Sequence, residues 1–188
     1  MIDIIEHNKE HNYVRYRSKY IIDNIEEIKK DCQIAHDRFK ILFPDKDSTW
    51  AYSKYNIFTL TSTSLHFYNM YKDLIFCAKD YLNKQNIELN SPLWIQSWLN
   101  FHKPKEVLDW HNHSWLYHGY MSIDPKQSKT VFKDFHINNE VGVLYFGEGY
   151  KQHKVEVLED FSGERITIGY DFTRTANEVS NVSLIPVL

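Results

Sequence analysis

Cysteine is nearly missing from this chain of 188 residues: there are two, Cys32 and Cys77. They are far from any CxxC spacing, which excludes a disulfide framework and a zinc–thiolate site and leaves both thiols as small core residues. Long hydrophobic runs are missing too. Nowhere do about 18 apolar residues follow one another, so no membrane-spanning helix is expected. The opening MIDIIEHNKEHNYVRYRSKY lacks the apolar stretch of a signal peptide, and the expected location is the cytoplasm, with no membrane partner. Blocks of positive charge are also lacking. Lys and Arg total 22 against 25 Asp and Glu, a net charge of −3, so no stripe of cations is available to track phosphates and no nucleic-acid partner is expected. Glycine is scarce, and all six fall after residue 118. The chain therefore changes character near its middle.

What is present is a globular composition, 43% hydrophobic and 25% charged, in a length that suits a single domain over 1–188. Ile21, Ile25, Ile28, Cys32, Ala35 and Phe39 recur at steps of four and three, which predicts an amphipathic helix over 19–40. A second helix fits 64–84, with Ser64 as N-cap and Leu65, Tyr68, Ile75, Ala78 and Leu82 along one face. From residue 93 the period shortens towards two. Strands are expected over 93–100, 114–123, 130–135, 141–146, 153–158, 165–172 and 182–188, with a further edge strand over 50–60. Residues 1–90 are thus read as mainly helical support and 91–188 as an antiparallel sandwich or barrel, the kind of fold that holds a ligand between its sheets.

Six of the ten histidines lie between residues 102 and 153. His111 and His113 are one residue apart, so both imidazoles can point to one side of an extended segment, and His153 opens a later strand. Three imidazoles from two strands can form an open facial triad for a divalent metal. The competing reading is that these histidines are half-buried sheet residues satisfied by the backbone. The string His-Asn-His does not make a nuclease here, because those sites need a helix after the motif. Nor does an Asp-His pair follow, as a binuclear hydrolase would require.

The stretches WIQSWLNFHKPKEVLDWHNHSW, HGYMSI, GVLYFGEGYKQHKVEV and ERITIGYDF, spanning about Trp94 to Phe172, resemble the 2-oxoglutarate- and Fe(II)-dependent oxygenases. The likeness is to the small prolyl-hydroxylase-like branch common in phages. It implies a double-stranded β-helix core (jelly-roll, cupin-like; α+β but mainly β) with N-terminal supporting helices. It places the distal iron ligand on His153, beside His111 and His113, and it implies Arg165 and Thr167 as anchors of the far carboxylate of 2-oxoglutarate. Arg165, Thr167, Gly169 and Asp171 alternate with Ile166, Ile168, Tyr170 and Phe172, so one strand face is polar and carries a guanidinium that needs a carboxylate partner. A salt bridge from Arg165 to Glu156 or Asp109, or simple exposure, is the bland alternative.

Two departures accompany the resemblance. The family's first motif is His-x-Asp or His-x-Glu, whereas His113 stands here in place of the carboxylate, leaving the site one negative charge short. Three outcomes are open: a three-His variant, completion by Asp109 or a small anion, or lost turnover. The Tyr that relatives use against the cosubstrate aligns with Ser122, and Tyr120 or His118, of the same parity, can replace it. Trp94, Trp98, Trp110 and Trp115 fall near the site, Trp98 being the best candidate for a pocket wall.

The implied function is that of an oxidoreductase, a dioxygenase using Fe(II), O2 and 2-oxoglutarate to hydroxylate an unidentified peptide or small molecule, with release of succinate and CO2. The alternatives are a cupin-like metal protein or three-His iron dioxygenase without 2-oxoglutarate, and a non-catalytic jelly-roll module.

Overall fold

A computed structural model describes residues 1–44, 55–88, 92–104, 106, 108–174 and 184–187. In chain order the elements are β1 (Ile2–Asn8), β2 (Tyr13–Ser18), α1 (Lys19–Asp23), α2 (Ile25–Leu42), α3 (Ile57–Leu60), α4 (Leu65–Lys84), β3 (Trp94–His102), β4 (Tyr117–Asp124), β5 (Ser128–Phe132), β6 (His136–Asn138), β7 (Val143–Glu148), β8 (His153–Val157), β9 (Arg165–Thr173) and β10 (Ile185–Pro186). The strands form a seven-stranded sheet, β1-β2-β7-β4-β9-β3-β10, and a three-stranded sheet, β6-β5-β8. Every pairing is antiparallel. Together they make the double-stranded β-helix, mainly β with helices on one side. No described helix is long and apolar enough to cross a membrane.

Two faces of the large sheet serve two purposes, because successive strand residues point to opposite sides. On β9, Ile166, Ile168, Tyr170 and Phe172 join Met121 and Ile123 of β4, Leu144 and Phe146 of β7, and Leu99 and Phe101 of β3 in one apolar core. Helices α2 and α4 close that core with Ile28, Cys32, Ala35 and Phe39, and with Phe67, Met70, Leu74 and Tyr81. Both cysteines are free and fully buried. The opposite face looks towards the small sheet, where Tyr120 and Tyr145 pack with Phe132 and Ile137. That face carries the polar residues.

The predicted helix over 19–40 is present but breaks at Asn24 into α1 and α2. Ser64 caps α4 as expected, its hydroxyl accepting from the Phe67 N–H at 3.2 Å. The buried stripe of α4 differs from the expected one. Leu65 and Tyr68 are 67% and 55% exposed, because the 67, 70, 74, 77, 81 series faces α2 and the sheet without interruption. Residues 57–60 are a helical turn capped by Asn56, not an edge strand; residues 50–54 of that expectation lie outside the described residues, as do 182, 183 and 188 of the last strand. Residues 2–18 form a hairpin on the edge of the large sheet, a pairing that the reading of 1–90 as helical did not include.

Strand β4 lies against β9 so closely that position 119 has no room for a side chain: a Cβ would overlap the Tyr170 ring and the Tyr145 carbonyl oxygen. The Tyr170 hydroxyl uses that space to donate to the Tyr145 carbonyl at 2.8 Å. Gly119→Ala is expected to cost about 3 kcal/mol, since a backbone atom cannot step aside. A fall in the urea midpoint at unchanged slope measures it; an unchanged midpoint contradicts this packing.

Candidate metal centre

The inner face of the large sheet gathers its polar residues by register. His102, Asn100 and Trp98 of β3 stand opposite Arg165, Thr167 and Gly169 of β9. On the other side of β9, Ser122, Tyr120 and His118 of β4 stand opposite Thr167, Gly169 and Asp171. The small sheet brings His153 and Val155 from β8 and Thr130 from β5. The segment before β4 is pinned by backbone bonds: His111 and His153 exchange N–H···O bonds of 3.0 and 2.9 Å, and the His113 N–H donates to the Gly149 carbonyl at 2.9 Å. Only glycine fits at 149, where a Cβ would overlap the Trp115 carbonyl.

This pinning brings His111, His113 and His153 together, one ring nitrogen of each lying within 4.8 Å of the others. In each ring the Nδ1 is already engaged. It lies 2.7 Å from the Asp109 carbonyl in His111, 3.0 Å from the Lys151 carbonyl in His153, and 2.9 Å from the Asp171 carboxylate in His113. A carbonyl or carboxylate oxygen only accepts, so each Nδ1 carries the proton and each Nε2 keeps its lone pair. Metal-binding histidines are oriented this way. The His113 Nε2 is buried without a hydrogen-bond partner, as suits a ligand atom. Burial holds the His111 and His153 imidazoles below their ordinary range, so both are neutral near pH 7. The donor set fits a divalent ion of the iron, cobalt or zinc type.

Asp171 accepts from two imidazoles at once, His113 Nδ1 on Oδ2 and His118 Nδ1 on Oδ1 at 2.8 Å. Burial works to raise its carboxyl, and the two N–H bonds outweigh it, so Asp171 stays ionised. The His118 ring lies 3.6 Å from that of His113, stacked on it, and burial lowers it to about 4.

Arg165 is 3% exposed. Its Nε donates to the Ser128 hydroxyl at 3.2 Å and its Nη1 to the His102 Nδ1 at 3.4 Å. No carboxylate of the described residues is ion-paired with it: Glu156 is taken by Lys129 and Lys154, and an Asp109 oxygen accepts from the Trp110 N–H. Burial lowers the guanidinium only to about 10, so it remains a cation in the interior. Thr167 accepts from the Asn100 amide at 3.2 Å beside it.

Arg165, Thr167, Tyr120, Trp98 and Asn100 line one narrow cavity with the three histidines, about 40 Å³ in volume. Ser122 is fully buried but does not line it, being one pair further along β4. Trp110 is 44% exposed beneath the Lys154 ammonium, and of the four tryptophans placed near the site only Trp98 reaches the cavity. Gly169 makes this possible, since any Cβ there would overlap the Trp98 indole. Leu108 and Val155 line both this cavity and a wider neighbouring groove of about 680 Å³. The roles of Asp171 and His102 went unassigned in the sequence, although Asp171 shares the parity of Arg165 and Thr167.

No family model matches the chain, and no curated protein sequence matches it. Solved structures do. The non-heme alpha-ketoglutarate-dependent carbocyclase SnoK of nogalamycin biosynthesis matches with a TM-score of 0.59 over 89% of this chain and 84% of its own, at 9% identity. A Pseudomonas putida prolyl-4-hydroxylase matches at 0.58 over 89% and 90%, with 11% identity. The alpha-ketoglutarate-dependent epimerase SnoN matches at 0.55 over 88% and 78%, also with 11% identity. The chain has the fold of the non-heme alpha-ketoglutarate-dependent enzymes. Such a fold hosts several reactions, so the chemistry must be argued from the site.

Folding holds His102 and His118 neutral, both lowered to about 4, against about 6.5 in an unfolded chain. As pH falls from about 6.5 to about 4, the unfolded chain takes up protons that the folded chain refuses, so stability falls with pH across that window. The melting temperature of the metal-free protein is expected to drop steadily from pH 7 to pH 4.5, with a shallower slope in His102→Phe. A flat profile would mean that these imidazoles are not buried neutral.

Proposed function

We propose that this chain is an Fe(II)- and 2-oxoglutarate-dependent oxygenase acting on a separate substrate. The observation that carries the reading is Arg165, a buried cation that no carboxylate of the described residues pairs with, lining the same cavity as three imidazoles that present Nε2. An unpaired charge in a protein interior is costly, and a dicarboxylate that reached both the guanidinium and a bound metal would offset that cost.

In this reading His111, His113 and His153 hold the iron, and Arg165 with Thr167 holds the far carboxylate of the cosubstrate. The bound iron and 2-oxoglutarate supply the activation of O2, one oxygen atom leaving in succinate, beside CO2, and the other entering the substrate. His102 and Ser128 aim the guanidinium, since both accept from it. Tyr120, rather than Ser122, lines the cosubstrate space. Trp98 walls the cavity and keeps water from it. A five-carbon diacid needs more than the 40 Å³ between these walls, so Leu108 and Val155 must turn towards the groove that they share with the cavity. Substrate enters from that groove. Hydroxylation of a peptidyl side chain is the outcome that the prolyl-hydroxylase likeness favours.

An anaerobic titration with Fe(II) and then 2-oxoglutarate tests the proposal through the visible charge-transfer band of the chelated cosubstrate. The band is expected in the unchanged protein and absent in His153→Ala. Arg165→Ala leaves a carboxylate unpaired in the interior, worth about 2 kcal/mol or more, so it is expected to need roughly thirtyfold more 2-oxoglutarate. Iron binding without a band would leave a cupin-like metal protein, and no iron binding would leave a non-catalytic jelly roll.

A further inference from the structure

We propose that Asp171 is a positioning residue for the metal centre, restoring through His113 the negative charge that the ligand set lacks; the inference rests on the metal reading above. Three neutral imidazoles leave both charges of a divalent ion uncompensated. Asp171 is 3% exposed and accepts an imidazole N–H on each of its carboxylate oxygens, yet no Lys or Arg among the described residues is paired with it. Its two partners are imidazole Nδ1–H groups, one on each carboxylate oxygen. A buried carboxylate of this kind calls for a cation within reach, and the far side of the His113 ring is a place for one that leaves both hydrogen bonds of the carboxylate intact. Donation of the Nδ1 proton to a carboxylate makes the opposite nitrogen more basic, so the charge is felt at Nε2.

His118 completes the device. It takes the second carboxylate oxygen and stacks on His113 at 3.6 Å, so Asp171 cannot rotate away from His113. The same three residues also bring ligand atoms within 4.8 Å of one another. A metal seated among them would have to break both hydrogen bonds, whereas one seated on the Nε2 side keeps them. Arg165 lies six residues earlier on the same face of β9, roughly 20 Å along the strand. The two buried charges do not neutralise each other: Arg165 lines the cavity, and Asp171 sits behind His113 and His118, which do.

Asparagine at 171 has one acceptor oxygen where two N–H donors point. One imidazole must then move its proton to Nε2, which removes a metal-binding lone pair if that ring is His113. In Co(II) titrations read by the visible d–d bands, Asp171→Asn is expected to bind about 10- to 100-fold more weakly. Adding His118→Leu to that variant frees the amide oxygen for His113 and is expected to recover part of the loss, a recovery that a merely structural carboxylate would not give. In the unchanged protein, nitrogen-15 NMR is expected to find the His113 proton on Nδ1, a readout that does not depend on any variant folding. Co(II) affinity within threefold of the original in Asp171→Asn, with binding lost in His153→Ala, overturns the role of Asp171 alone; so does a His113 proton on Nε2. Binding retained in both variants overturns the metal reading beneath it.

Discussion

A guanidinium and a carboxylate are buried on one face of a single strand, and among the described residues no carboxylate pairs with the first and no Lys or Arg with the second. Strand β9 can carry them because it lies inside the large sheet between β4 and β3, paired with β3 along its whole length. Its backbone needs no water, and its outer face, Ile166, Ile168, Tyr170 and Phe172, is sealed by the core against the helices. The cost of holding Arg165 and Asp171 inside falls on that apolar face. Burial of four large side chains contributes roughly 1.5–3 kcal/mol apiece, and this is what keeps the strand in register while the other face is spent on polar groups. The helices therefore serve the site indirectly. They supply the burial that lets the inner face be chosen for ligands rather than for stability.

Much of this was legible because strand geometry writes itself into sequence with a period of two. Arg165, Thr167 and Asp171 could be assigned to one face from their alternation, and His111 with His113 to one side of an extended segment. The nearness of His153 to that pair follows from two reciprocal backbone bonds, which the order of motifs anticipates but composition does not. What was not legible depends on which strands pair. His118 faces Asp171 only because β4 and β9 meet in that register, and residues 53 apart reveal nothing of it locally. Ser122 was favoured over Tyr120 by alignment alone; the register sets Ser122 opposite Thr167 but one step beyond the cavity lining.

The N-terminal hairpin was hidden for a different reason. Arg15 and Arg17 interrupt what would otherwise read as an apolar strand, and they are accommodated because Glu6 and Glu140 meet them at the sheet edge. The face of α4 was misjudged because its apolar arc is wide, with Tyr68, Ile75 and Leu82 on one flank and Phe67, Met70, Leu74 and Tyr81 on the other. Periodicity then offers two stripes, and only the presence of α2 and the sheet on one side decides between them.

Replacement of a ligand carboxylate by an imidazole is usually a loss of charge at a fixed place. In the proposed centre the charge would be moved rather than lost. Asp171 sits one imidazole further out, where its influence on a cation is weaker than direct coordination but is not diluted by water, because the carboxylate is buried. In the proposed centre the carboxylate stays out of the ligand set, so that all three coordinating atoms would be nitrogens of rings clamped at Nδ1. Such a site is more rigid and less anionic than one with a direct carboxylate. It should hold a divalent metal less tightly and leave more positive charge for an anionic partner at the open positions, which is where a dicarboxylate reaching back to Arg165 would complete the charge balance of the cavity.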